Sequence, residues 1–176
     1  MERFPEPRTR PGAVLTILAA AALAAAAAAV LVVSGEDMFA GASVAIAGAA
    51  LALGDLRTRE QYLPRLVFAS SIVGRTVDGA VFGALAWTLM PAAPRAGAAA
   101  LAALSTSYVA TYIRVKAAGL GFDLDESLLM QPLRMAPVAI GLLAGAVEAG
   151  LWGAVAVGAA GMVARGRQVA MRRETA

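Results

Sequence analysis

The sequence contains neither cysteine nor histidine. Without cysteine there is no disulfide framework, no thiolate metal site and no thiol nucleophile. Without histidine there is no imidazole base, no Ser-His-Asp triad and no imidazole zinc site, so any chemistry falls to carboxylates, Lys and Arg. Charge is scarce as well: 15% of the 176 residues are charged, while 60% are hydrophobic. Lipid rather than water is the solvent for such a composition, and the chain reads as one all-α integral membrane domain. The excess of Lys and Arg over Asp and Glu, 15 against 12, does not point to nucleic acid, because the basic residues flank apolar runs instead of forming one soluble face. Membrane lipids and phosphorylated groups are the expected counter-charges.

What the sequence does hold is a series of long apolar stretches. Residues 1–12, with three prolines and three arginines, are too broken for a long helix and read as a cytoplasmic tail. Six spans are then expected, at 13–33, 38–56, 70–90, 96–115, 128–147 and 151–164, within a membrane domain covering 13–168. A polar linker at 57–65 separates the second and third spans, and 169–176 reads as a basic cytoplasmic tail. An even number of spans puts both termini on one side, and the positive charges agree. Arg3, Arg8, Arg10, Arg57, Arg59, Arg65, Arg114, Lys116, Arg165, Arg167, Arg172 and Arg173 fall on that side, against Arg95 alone on the other. The positive-inside rule makes the basic side cytoplasmic, in a multi-pass protein of the cell membrane.

Three ionisable residues break the apolar pattern from within. Arg75 and Asp78 lie three apart in the third span, on one face of a helix where they can pair, and Arg134 lies about six residues into the fifth. An Arg or Asp near the centre of a span costs about 2.5–3.5 kcal/mol on the mildest insertion scales, so such groups are internally satisfied or functional. Arg75 and Asp78 read as a structural pair or, alternatively, as lining a functional cavity. For Arg134 the alternatives are a polar cavity and snorkelling to the interface. The acids Asp123, Asp125 and Glu126 lack the regular oxygen spacing of a calcium loop and read as a solvated face capping the fifth helix. Trp87 and Trp152 fall near span ends, as interfacial belt residues do. The G-x-x-x-G at Gly141 and Gly145 reads as ordinary helix packing rather than a dimer seam in a chain this rich in small residues.

Two segments, GRTVDGAVFGAL at 74–85 and TYIRVKAAGLG at 111–121 followed by QPLRM at 131–135, resemble the CDP-alcohol phosphotransferases, most of all the actinobacterial phosphatidylinositol-phosphate synthase branch. The resemblance runs over roughly 41–136 and implies a six-helix membrane fold. The family's signature is D-x2-D-G-x2-A-R-x8-G-x3-D-x3-D, whose carboxylates hold divalent cations against a CDP pyrophosphate while the last takes the proton of the attacking alcohol. Anchored on Arg57 and GRTVDGAVFG, the spacing is kept without a gap, yet the four aspartate positions fall on Ala49, Ala52, Ser70 and Gly74. Its two glycine positions fall on Leu53 and Leu66. Alanine, serine and glycine supply neither anionic ligands nor a base, so the resemblance implies no resident metal here, with magnesium or manganese needed only if activity persists. Asp55 and Asp78, each about one turn from a lost position, are the substitutes, but their displacements run in opposite senses and separate them by roughly 10 Å. Arg57 is kept, and Arg114, Lys116 and Arg134 match basic positions that line the acceptor-phosphate pocket of the related synthases. Ordinary cytoplasmic anchoring is the competing role for Arg114 and Lys116.

Three functions follow as expectations. One is a non-catalytic homologue that partners or regulates an active synthase, as a homodimer or a heterodimer with that homologue, and binds a phosphorylated small molecule or headgroup. Another is an active phosphatidyltransferase acting from CDP-diacylglycerol on a small alcohol or alcohol phosphate, through Asp55, Asp78 or a partner's carboxylates. The third is a small transporter or lipid-binding membrane protein built around Arg75, Asp78 and Arg134.

Overall fold

The computed structural model describes residues 11–61, 64–122 and 130–173, which are almost entirely α-helical. In order these are α1 (Pro11–Val33), α2 (Asp37–Gln61), α3 (Pro64–Leu89), α4 (Pro94–Gly119), α5 (Met130–Leu143) and α6 (Val147–Arg173). Five of them, all but α5, are long and apolar enough to cross a membrane, and α5 contributes a shorter apolar helix over Leu133–Leu143. The molecule is thus an all-α membrane protein. At 14 residues α5 is about 21 Å long, short of the roughly 30 Å hydrocarbon core.

Helix ends follow local chemistry. Proline opens α3 and α4, where its missing N–H is no loss and its fixed φ suits a first turn. Glycine with positive φ closes α1 and α5: Gly35 at 78° and Gly145 at 68°. At the end of α5 the Ala146 N–H reaches Gly141 O at 2.7 Å and the Gly145 N–H reaches Leu142 O, the paired bonds of a Schellman turn. That turn corrects the expected fifth span. Its apolar run continues to Val147, but the chain reverses at 144–146 and Val147 already begins α6. The polar linker expected at 57–65 is largely helical too, since α2 runs to Gln61 and α3 starts at Pro64. The basic C-terminal stretch likewise continues α6 as far as Arg173, because Arg, Gln, Val, Ala and Met carry no helix breaker. Residues 1–10, the acids Asp123, Asp125 and Glu126, and 174–176 lie outside the described residues.

The helices close into a ring in the order α1, α2, α5, α6, α4, α3 and back to α1, with α2 also touching α3. Close approach depends on small residues. A Cβ on Gly150 would meet Pro137 O at 2.4 Å and Gly141 Cα at 3.0 Å, so α5 and α6 meet backbone to backbone. Gly141 is therefore spent on packing within the chain, and Gly145 on the turn. In the half of the bundle that holds the starts of α4 and α6, the interior is filled by Val44, Val81, Phe82, Leu85, Ala99, Ala100, Leu142 and Leu151, all buried. The other half, where α2 and α4 end and α3 begins, carries Arg57, Arg65, Arg114 and Lys116 and is called the basic end below.

Candidate functional site

Polar groups enter the interior from the basic end. The first pair joins α2 to α3, where the Ser70 hydroxyl donates to Asp55 Oδ1. That contact fixes the register of the two antiparallel helices. Ala52 lies about 4.5 Å beyond Asp55 along α2 and Gly74 about 6 Å beyond Ser70 along α3, so these two positions share a depth. Ser70 and Gly74 are buried, Ala52 is half-buried and Ala49 faces outward. Ala49 lines an apolar cleft of about 310 Å³ between α2 and α5, together with Ala45, Gly48, Met135, Ala136, Ala139, Ile140 and Leu143. The four positions offer one hydroxyl and no carboxylate. Among the described residues no three His, Cys, Asp or Glu side chains come together to hold a metal ion. A divalent cation, which wants several hard oxygen ligands, does not fit this donor set.

The second polar group lies deeper. Asp78 is fully buried on α3, and its Oδ2 meets two hydrogen-bond donors and one further ion-pair partner. These are Arg75 Nη1 at 2.9 Å, Arg134 Nη2 at 2.8 Å and the Ser107 hydroxyl. Arg75 Nη1 also donates to Ser107 O at 3.0 Å and to the Ser107 hydroxyl. Three helices are tied by one carboxylate oxygen. Arg134 spans the ring interior from α5 to α3, helices that do not pack side by side. Its side chain is 7% exposed, so it turns inward rather than snorkelling. Asp78 Oδ1 and Arg134 Nε are buried without a hydrogen-bond partner. Beyond Asp78 the interior closes over Val81, Phe82 and Leu85, so the polar column ends there.

The expected site residues therefore separate. Asp78 and Arg134 are brought together, with Arg75 as their third member. Asp55 stays with Ser70, which is eight residues and about 12 Å along α3 from Asp78. Arg114 is half-buried and donates to Ser71 on α3 through a long 3.5 Å contact, whereas Arg57 and Lys116 are exposed at the basic end. Arg165 on α6 donates to Ala110 O at 3.1 Å, bracing α4 one turn before Arg114. Ser107 was not among the expected site residues. Its signal is the spacing Ser107, Thr111, Arg114, an i, i+4, i+7 polar stripe on one face of an apolar helix.

No family model matches the chain, and no solved structure matches it. One stretch is 37% identical over 87 residues to the phosphatidylinositol phosphate synthase of Corynebacterium glutamicum. The match covers 44% of this chain and 40% of that synthase, so it spans well under two thirds of either protein. Apolar helices together with this partial likeness make the chain a phospholipid-synthase-like, multi-pass membrane protein.

Proposed function

We propose that this is a non-catalytic relative of the CDP-alcohol phosphotransferases. In this reading the scaffold and a basic pocket are kept for binding, and the protein acts as partner or regulator of an active synthase in the cell membrane. One observation carries the reading: the positions assigned to metal-holding carboxylates are Ala49, Ala52, Ser70 and Gly74, and the nearest acids, Asp55 and Asp78, are engaged in two separate polar networks. All six helices cross or enter the bilayer, with α5 reaching only part-way on its own, and the basic end faces the cytoplasm by the positive-inside rule. Arg114 and Arg134, with Arg57 and Lys116 at the rim, recognise a phosphorylated small molecule or lipid headgroup. The partner is a second copy or an active homologue.

Two competing readings meet specific observations. The polar column ends at Asp78 beneath a packed apolar half, which argues against a transport route. The bond from Ser70 to Asp55 brings one carboxylate to a signature position, which keeps a metal-dependent transferase in contention. Release of CMP from CDP-diacylglycerol by the purified protein, with magnesium or manganese and a panel of alcohols and alcohol phosphates, decides between them. No release is expected under conditions in which an active synthase turns over. Release abolished by Asp55→Asn or Asp78→Asn would overturn the non-catalytic reading. Co-purification from native membranes with an active synthase supports the partner role, and recovery of this chain alone counts against the mixed complex.

A further inference from the structure

The donors around Asp78 are arranged for a single anionic oxygen. Arg75 Nη1, Arg134 Nη2 and the Ser107 hydroxyl, from three helices, all converge on Oδ2, while Oδ1 is buried and has no partner. A carboxylate serving only to neutralise an arginine does so best through both oxygens in a side-on fork, and Arg134 Nε, which such a fork would use, is also without a partner. Charge is unbalanced in the same direction. Two guanidiniums face one carboxylate, and Arg114 lies on the approach from the basic end. Accessibility is graded: the Arg75 side chain is 23% exposed, Arg134 7% and Asp78 none. Arg75 is thus the open edge of the cluster.

We propose that Asp78 is a resident counter-anion in a site built for a phosphate oxygen, so that a phosphorylated ligand binds by displacing Asp78 from Arg75 and Arg134. Arg75 and Ser107 are then ligand-recognition residues alongside Arg134. This deepens the ligand part of the reading above and names how the site is regulated: Asp78 holds the two guanidiniums in place when no ligand is present and sets a threshold on affinity. Phosphate fits the vacated donors better than a halide would, because it offers several oxygens and two planar guanidinium forks can share them. A phosphate monoester in solution and the phosphate of a lipid headgroup present the same chemistry.

The test is equilibrium binding to the full-length protein in nanodiscs, with inorganic phosphate in one arm and phosphatidic acid as the only anionic lipid in the other. Asp78→Asn keeps the shape and removes the competing charge, so it is expected to bind about tenfold more tightly than the parent, since a self-occupied site lowers apparent affinity by its occupied fraction. The double variant Asp78→Asn, Arg75→Gln is expected to lose that gain. A gain with inorganic phosphate identifies a soluble ligand class, and a gain with phosphatidic acid alone identifies a headgroup. Unchanged or weaker binding of Asp78→Asn in both arms overturns the proposal, as does a gain that survives Arg75→Gln. Should Asp78→Asn fail to fold, Asp78→Ser takes its place, removing the same charge with a smaller polar side chain, and no gain overturns the proposal equally. CMP release by the parent would refute the non-catalytic reading without altering this affinity order, so the two failures are told apart.

Discussion

Asp55 and Asp78 are both acids inside the bundle, yet they live under different physics. Asp55 is half-exposed near the basic end and meets one hydroxyl, that of Ser70. Asp78 is fully buried and holds two guanidiniums and a hydroxyl on one oxygen. Water can serve the first if its partner is lost. Nothing but protein serves the second. The difference separates two reasons for keeping charge in a lipid-facing chain: a polar rim tolerates substitution, whereas a buried cluster stands or falls as a unit.

The sharpest way to break that contrast is to remove Asp78. Asp78→Ala leaves Arg75 and Arg134 facing each other without a counter-charge, and a loss of about 3–5 kcal/mol is expected from unfolding in detergent without added anions. Arg134→Leu is expected to cost less, about 3 kcal/mol, because Arg75 and Ser107 still serve Asp78. An equal effect of Asp55→Ala would erase the distinction between the two regions. Gly150→Ala tests backbone contact rather than charge. Its Cβ would lie 2.4 Å from Pro137 O, and forcing α5 from α6 is expected to cost about 1–3 kcal/mol in the same measurement. Ser70→Ala is expected to cost about 1 kcal/mol, the worth of one hydrogen bond. Smallest of all is Glu148→Gln. Its contact with Arg95, at 3.5 Å with Arg95 largely exposed, is expected to shift stability by less than about 0.5 kcal/mol and to vanish in high salt.

Much of this was legible in composition, and some was not. Helices α1 to α4 sit where long apolar runs put them, because hydropathy acts residue by residue. Boundaries at polar segments were less legible: hydropathy falls at Arg57 and after Ala164, but no proline interrupts either segment, so α2 and α6 run on. The end of α5 was hidden for the opposite reason, since Gly145 turns the chain inside an unbroken apolar run. The pairing of Arg75 with Asp78 follows from three-residue spacing. Arg134 was visible as a charge in need of a partner, but which one depended on the helix order, and no local pattern encodes that order. Ser107 was overlooked because one hydroxyl among Ser105, Thr106 and Ser107 stands out only when its face is known.

The order of the ring also gives α6 a particular place. Among the described residues, helix α4 packs mainly on α3 and α6 rather than on α5, its successor in the chain, and α5 packs on α2 and α6. Without α6, then, α4 and α5 would each have one flank uncovered. Both flanks are covered by the same element, α6, which follows them in the chain and completes the circle. The bond from Arg134 to Asp78 joins α5 to α3 across the interior without involving α6. A chain cut short before α6 would leave two helix faces uncovered at once.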